Sequence, residues 1–171
     1  MEIDENTKEI SLRALKLEDY DVVLNWNKDE RFCEANGWQK NRDKDELLQW
    51  WNHCVSKKRN DFIRFGIEFN NRLIGYADLA EIKNNSAEIG IAIGDSELWG
   101  MGIGTQTVNL LINPAVKELR ITIFYGETHE TNLRSRKMLE KLGFTEVSHI
   151  GSEIYLDKEV KLIQYKLCLE E

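Results

Sequence analysis

Trp99-Gly100-Met101-Gly102-Ile103-Gly104-Thr105 is the stretch on which the reading of this chain turns. An alternating apolar run at residues 87 to 93 precedes it, and a helical pattern at residues 105 to 112 follows, so the glycines join a strand to a helix N-terminus. This layout suits a phosphate. Glycine lets the backbone approach closely, and the first helical turn offers N–H groups without intrahelical acceptors and a partial positive charge. The loop lacks the lysine and Ser/Thr of a P-loop, and its glycines fall at every second position instead of in G-x-G-x-x-G spacing. The expected ligand is a pyrophosphate, but not an NTP or a dinucleotide.

The chain of 171 residues is long enough to bury one core, and its 42% apolar and 31% charged residues are those of an ordinary globular protein. No apolar run approaches the ~20 residues that span a bilayer. Residues 1 to 9 are polar and acidic, unlike a signal peptide, so a cytoplasmic protein without a membrane partner is expected. Pro114 is the one proline and no Pro/Gly/Ser-rich linker interrupts the chain. Residues 1 to 8 are therefore expected as a flexible tail and 9 to 171 as a single domain. Cys33, Cys54 and Cys168 form no C-x-x-C pair, and His53, His129 and His149 form no short-range metal pattern, so neither a disulfide framework nor a metal is expected. The net charge of −7 argues against nucleic acid and mildly favours a cationic partner such as an amine, although a solvated acidic surface is the simpler explanation of it.

Along the chain, residues 10 to 14 read as an edge strand and residues 17 to 26 as a helix. Asp43-Lys44-Asp45-Glu46 opens a second helix that turns Leu47, Trp50, Trp51 and Cys54 to one side, a stripe for the core with some aromatics left to line a pocket. Residues 62 to 69 and 72 to 79 flank Asn70-Asn71 as a hairpin, and the turn at residues 83 to 86 leads into the strand at 87 to 93. After the glycine loop come a strand at 118 to 125, a helix at 131 to 142 closed by Gly143, and strands at 145 to 152 and 160 to 169. The order β-α-α-β-β-β-α-β-α-β-β predicts an α/β (α+β) fold with a mixed sheet.

Three blocks in this order carry a resemblance: Ala87-Glu88-Ile89-Gly90-Ile91-Ala92-Ile93, Trp99-x-x-Gly102-x-Gly104, and the run from Asn132 through Ser135 to Leu139-Glu140-Lys141-Leu142-Gly143-Phe144. Together they resemble the GCN5-related N-acetyltransferase (GNAT) superfamily, which moves acetyl from acetyl-CoA to an amine. They are similar in particular to the branch with ribosomal-protein N-terminal and small-molecule acetyltransferases. Trp99 stands where the superfamily usually has Gln or Arg. The resemblance implies a mostly antiparallel central sheet of about seven strands with helices on both faces. It also implies a pantetheine arm lying between the fourth and fifth strands against Ile91, Ala92 and Ile93. The pyrophosphate is then held by the backbone of Leu98, Trp99, Gly100, Met101, Gly102, Ile103, Gly104 and Thr105. Asn132 and Ser135 lie near the thioester region, and Lys137, with Arg134 and Arg136, near the 3′-phosphate end.

Acetyl transfer to an amine needs a neutral nucleophile, and an amine pKa near ~10 calls for a base or a water relay. The resemblance offers three candidates, ranked Glu127, after the fifth strand, then Glu88, then Glu153. It implies direct attack in a ternary complex, with no metal or acyl-enzyme. Its usual acid, a tyrosine seven residues after Asn132, is Leu139 here. That leaves Ser135 as the candidate to assist the thiolate, with Tyr125 and Tyr155 behind it. The acceptor is a small-molecule or peptide amine, and a homodimer is compatible with the family. The competing readings are a non-catalytic acetyl-CoA-binding sensor or structural module, and transfer of another acyl group.

Overall fold

The structure, a computed structural model, describes residues 9–56, 59–155 and 158–169, excepting the side chains at 148–150, 153 and 155. The tail expected at residues 1 to 8 lies outside these. The elements are β1 (Ile10–Arg13), α1 (Tyr20–Trp26), α2 (Glu30–Asn36), α3 (Lys44–Ser56), β2 (Ile63–Phe69), β3 (Arg72–Lys83) and β4 (Ser86–Ile93), followed by α4 (Ile103–Leu119), β5 (Ile123–His129), α5 (Leu133–Lys141), β6 (Thr145–Tyr155) and β7 (Lys158–Cys168). The β2–β3 hairpin forms as expected. Asn70 and Asn71 adopt φ of 49° and 63°, the left-handed pair that a two-residue turn requires and asparagine tolerates.

Seven strands form one sheet in the order β1-β2-β3-β4-β5-β7-β6. Every neighbouring pair is antiparallel except β4 and β5. One face buries Ile67, Ile89, Phe124 and Ile163 against Val108, Leu111 and Ile112 of α4 and Leu139 of α5. The other face carries Tyr76 and Ala92 under Val23 and Trp26 of α1, Phe32 of α2 and Leu47 and Trp51 of α3. Helices therefore cover both faces, as expected.

Two element readings change. Between the expected first and second helices lies a third, α2, which Asp29 opens by accepting the Phe32 N–H and Gly37 closes at φ 67°. Both are ordinary start and stop signals. The helix after the glycine loop runs through Pro114 to Leu119, so β5 starts at Ile123, later than the predicted strand. Val108, Leu111, Ile112 and Ala115 keep helical spacing across the proline, and their burial outweighs its ~3 kcal/mol cost.

Candidate active site

The parallel β4–β5 ladder is short. It runs from Ser86↔Ile123 to Ile89↔Gly126 and stops, while β4 continues to Ile93 and β5 to His129. Beyond Ile89 the two strands part, and two cavities open at the gap.

The first cavity, of about 290 Å³, lies toward α4 and α5. Ile91 and Ile93 line it from β4, Leu98, Trp99, Gly100 and Gly102 from the loop, and Ile103, Gly104 and Thr105 from the first turn of α4. Gly102 caps that helix at φ 82°, a conformation suited to glycine, without a side-chain hydrogen bond. The Gln106 N–H is the one that returns to the Gly102 carbonyl, at 3.1 Å. Helix geometry therefore leaves the Ile103, Gly104 and Thr105 N–H groups without an intrahelical acceptor. Asn132, Ser135, Lys137, Arg134 and Lys141 complete the wall. Among the described residues, no Asp or Glu lines this cavity, in a chain of net charge −7.

Four of the expected residues are engaged differently from the others. Met101 is exposed and does not line the cavity. Ala92 turns its methyl to the opposite layer and lines the second cavity. Arg136 is held by the Tyr165 hydroxyl at 3.0 Å and by the Glu130 carbonyl, away from the 3′-phosphate role expected of it. The Asn132 Oδ1 accepts the Ser135 N–H at 3.2 Å and caps α5, while the residue still lines both cavities.

The second cavity, of about 300 Å³, is lined by Arg64, Tyr76, Asp78, Gly90, Glu127 and His129, and shares Ile91, Asn132 and Ser135 with the first. Glu127 lies within β5, not after it, and is exposed toward this cavity. Glu88 lines neither cavity, because it stands opposite Tyr125 where β4 and β5 are still paired. Burial, then the nearby charges of Glu127 and Glu81, push its carboxyl up. Glu153 belongs to β6, paired with Val160, and its side chain is outside the described set, as is that of Tyr155. Tyr125 lines neither cavity. Leu139, at the expected tyrosine position, is a core residue against Gly126.

A raised folded-state pKa means that ionised Glu88 opposes folding, and this penalty appears as pH rises above the ordinary carboxylate range. Glu88→Gln should accordingly raise the urea midpoint at pH 7. The gain should shrink toward zero as pH falls to about 4, and a pH series of urea melts checks it.

Arg64, Tyr76 and Asp78 were not singled out from the sequence. They meet because Arg64 of β2 pairs across to Asp78 of β3. The guanidinium donates to both carboxylate oxygens, at 2.6 and 2.8 Å, and stands 4.5 Å from the Tyr76 ring centroid. Burial lowers Arg64, but the hydrogen bonds and charge of Asp78 more than reverse this. Burial raises Asp78, and Arg64 pulls it part of the way back. Burial pushes the Tyr76 phenol up to about 12. Ala35 and Asn36 border both cavities because α2 exists.

The model of the acetyltransferase (GNAT) domain matches residues 9–145, and the chain belongs to that family. It is 30% identical to an uncharacterized protein of Methanocaldococcus jannaschii over 144 residues, 83% of this chain and 29% of that protein. It is 27% identical to an N-acetyltransferase 9-like protein of Caenorhabditis briggsae over 122 residues, 71% of this chain and 59% of that protein. The chain thus spans less than two thirds of the length of both relatives. Its fold is that of the spermidine N-acetyltransferase from Vibrio cholerae in complex with CoA and spermine, at TM-score 0.78 and 24% identity, covering 93% and 95% of the two chains. Among the described residues, no helix is long and apolar enough to cross a membrane.

Proposed function

We propose that this chain is an N-acetyltransferase that moves the acetyl group of acetyl-CoA to an amine by direct attack in a ternary complex. The observation that carries the reading is the cavity built on the α4 amides, lined among the described residues by cations and no acid, and joined through the parted β4 and β5 to a second cavity that holds a carboxylate. Acetyl-CoA is the donor of this family, and when bound it supplies the activated thioester. The residues fit it: the Ile103, Gly104 and Thr105 amides suit a diphosphate, Arg134, Lys137 and Lys141 suit phosphate charge, and the main chain of β4 from Ile91 to Ile93 suits an amide-bearing arm.

Glu127 takes the proton from the incoming ammonium, directly or through a water. Arg64 and Asp78 pair with each other, and the Glu127 carboxylate on the same wall suits the second cavity to a cationic acceptor. Ser135, on the wall shared by both cavities, is the candidate to hydrogen-bond the departing sulfur. Glu127→Gln should lower kcat ten- to a hundredfold at pH 7 and leave CoA affinity within twofold. The defect should shrink as pH approaches that of the free amine. A pH–rate profile measures this, and a flat wild-type-like profile would move the base elsewhere.

The decisive experiment is thiol release from acetyl-CoA with a panel of amines. The panel should include spermidine, since the Vibrio cholerae neighbour is a spermidine N-acetyltransferase, together with amino acids, an aminoglycoside and a peptide with a free N-terminus. Turnover with any of them supports the enzyme. Leu139 removes the phenol expected of many relatives, which favours a second reading, a CoA-binding sensor. Tight CoA binding with no thiol released across the panel would select it.

A further inference from the structure

Trp99 lines the first cavity and carries two guanidiniums against its ring. Its indole N–H donates to the Ile93 carbonyl at 3.0 Å, which ties the ring to the end of β4. Two guanidiniums lie against this ring, Arg134 at 4.5 Å and Arg31 at 5.2 Å from its centroid. Arg31 belongs to α2 and Arg134 to α5, helices that pack on opposite faces of the sheet, so the ring collects charge from both layers. Among the described residues, neither arginine has a carboxylate within 4.0 Å, although the chain carries 30 acids against 23 Lys and Arg. An aromatic face holds a guanidinium in place without neutralising it and leaves its N–H fork available. Arg134 lines the first cavity and Arg31 reaches it through the Trp99 ring, so the two forks make a clamp for a full anionic charge, which main-chain amides alone match less well.

We propose that Trp99 is a positioning residue that orients Arg31 and Arg134 as a clamp on a phosphate of CoA, beyond the amides of α4. The proposal rests on the CoA reading above and extends it. The amides of α4 are the first grip on phosphate, and the stacked arginines are a second, separable one.

The test is calorimetry with CoA and dephospho-CoA, and ligand-observed NMR with pantetheine, which has no phosphate. Trp99→Leu should weaken CoA about tenfold, the scale of one charged hydrogen bond, and leave pantetheine unchanged. Trp99→Phe, which keeps a ring face but loses the indole N–H, should stay within about threefold for CoA. The exposed-site variants Arg31→Gln and Arg134→Gln, which do not endanger folding, should each reproduce the loss and flatten the salt dependence of CoA binding. If the loss vanishes with dephospho-CoA, the clamp grips the 3′-phosphate; if it persists, the clamp grips the diphosphate. Equal losses for CoA and pantetheine, or CoA affinity unchanged in Trp99→Leu and both arginine variants, would overturn the clamp. A wild-type protein that does not bind CoA would overturn the parent reading instead.

Discussion

Gly104→Glu is expected to yield a folded chain that no longer binds CoA. Gly104 lies in the first turn of α4 and on the wall of the cation-lined cavity. A Cβ there would meet the Met138 Sδ at 2.6 Å, the flexible end of a side chain that can move aside. A carboxylate near a helix N-terminus adds ~0.3–1 kcal/mol to helix stability, so folding survives. The same carboxylate competes for the Ile103–Thr105 amides and repels a phosphate at close range. At an effective dielectric near 20, one such repulsion at 4 Å is worth ~4 kcal/mol, about a thousandfold in affinity. Gly104→Gln separates charge from bulk and should lose only about tenfold. Calorimetry reads both, and Gly104→Glu binding CoA within twofold of wild type would remove the loop from the site.

Removing Asp78 should have the largest effect on stability. The Arg64–Asp78 pair is bidentate, with side chains only 16% and 12% exposed, and the guanidinium also donates to the Cys54 Sγ at 3.1 Å. Asp78→Ala leaves a buried guanidinium without its counter-charge, which costs about 3–5 kcal/mol and lowers Tm by roughly 10 °C for a chain of this size. Replacing both partners, as Arg64→Met with Asp78→Leu, removes the orphaned charge and should recover most of the loss, although the acceptor cavity changes character. Thermal melts of the single and double variants check this. A single variant melting within about 2 °C of wild type would mean that the pair is not a stabilising element.

These two predictions rest on different kinds of legibility. The loop at residues 99 to 105 was readable because the role proposed for it is carried by backbone. Glycine spacing and the helix start that follows it are local properties, and the amides point where the turn sends them. The Asn70-Asn71 hairpin was readable for the same reason. The α2 helix was missed although its signals, Asp29 and Gly37, are present, because seven residues carry too little periodicity to stand out. The end of α4 was missed because Pro114 is a local stop signal that distant burial overrides.

Charge placement is not local. Arg64 and Asp78 are fourteen residues apart and meet only through the β2–β3 register. Arg31 and Arg134 come to one indole from opposite faces of the sheet. Lys137 and Arg136 are adjacent in the chain, yet one lines the cofactor cavity and the other is tied to Tyr165, because neighbouring helical positions point about 100° apart. The chain alone therefore determined the superfamily, the order of most elements and the backbone cradle, all of which follow from short-range conformational preference. Which carboxylate lines the second cavity, which cations line the first and what completes their walls were decided by strand register and by the point at which β4 and β5 part. Those are set by packing between segments far apart in sequence.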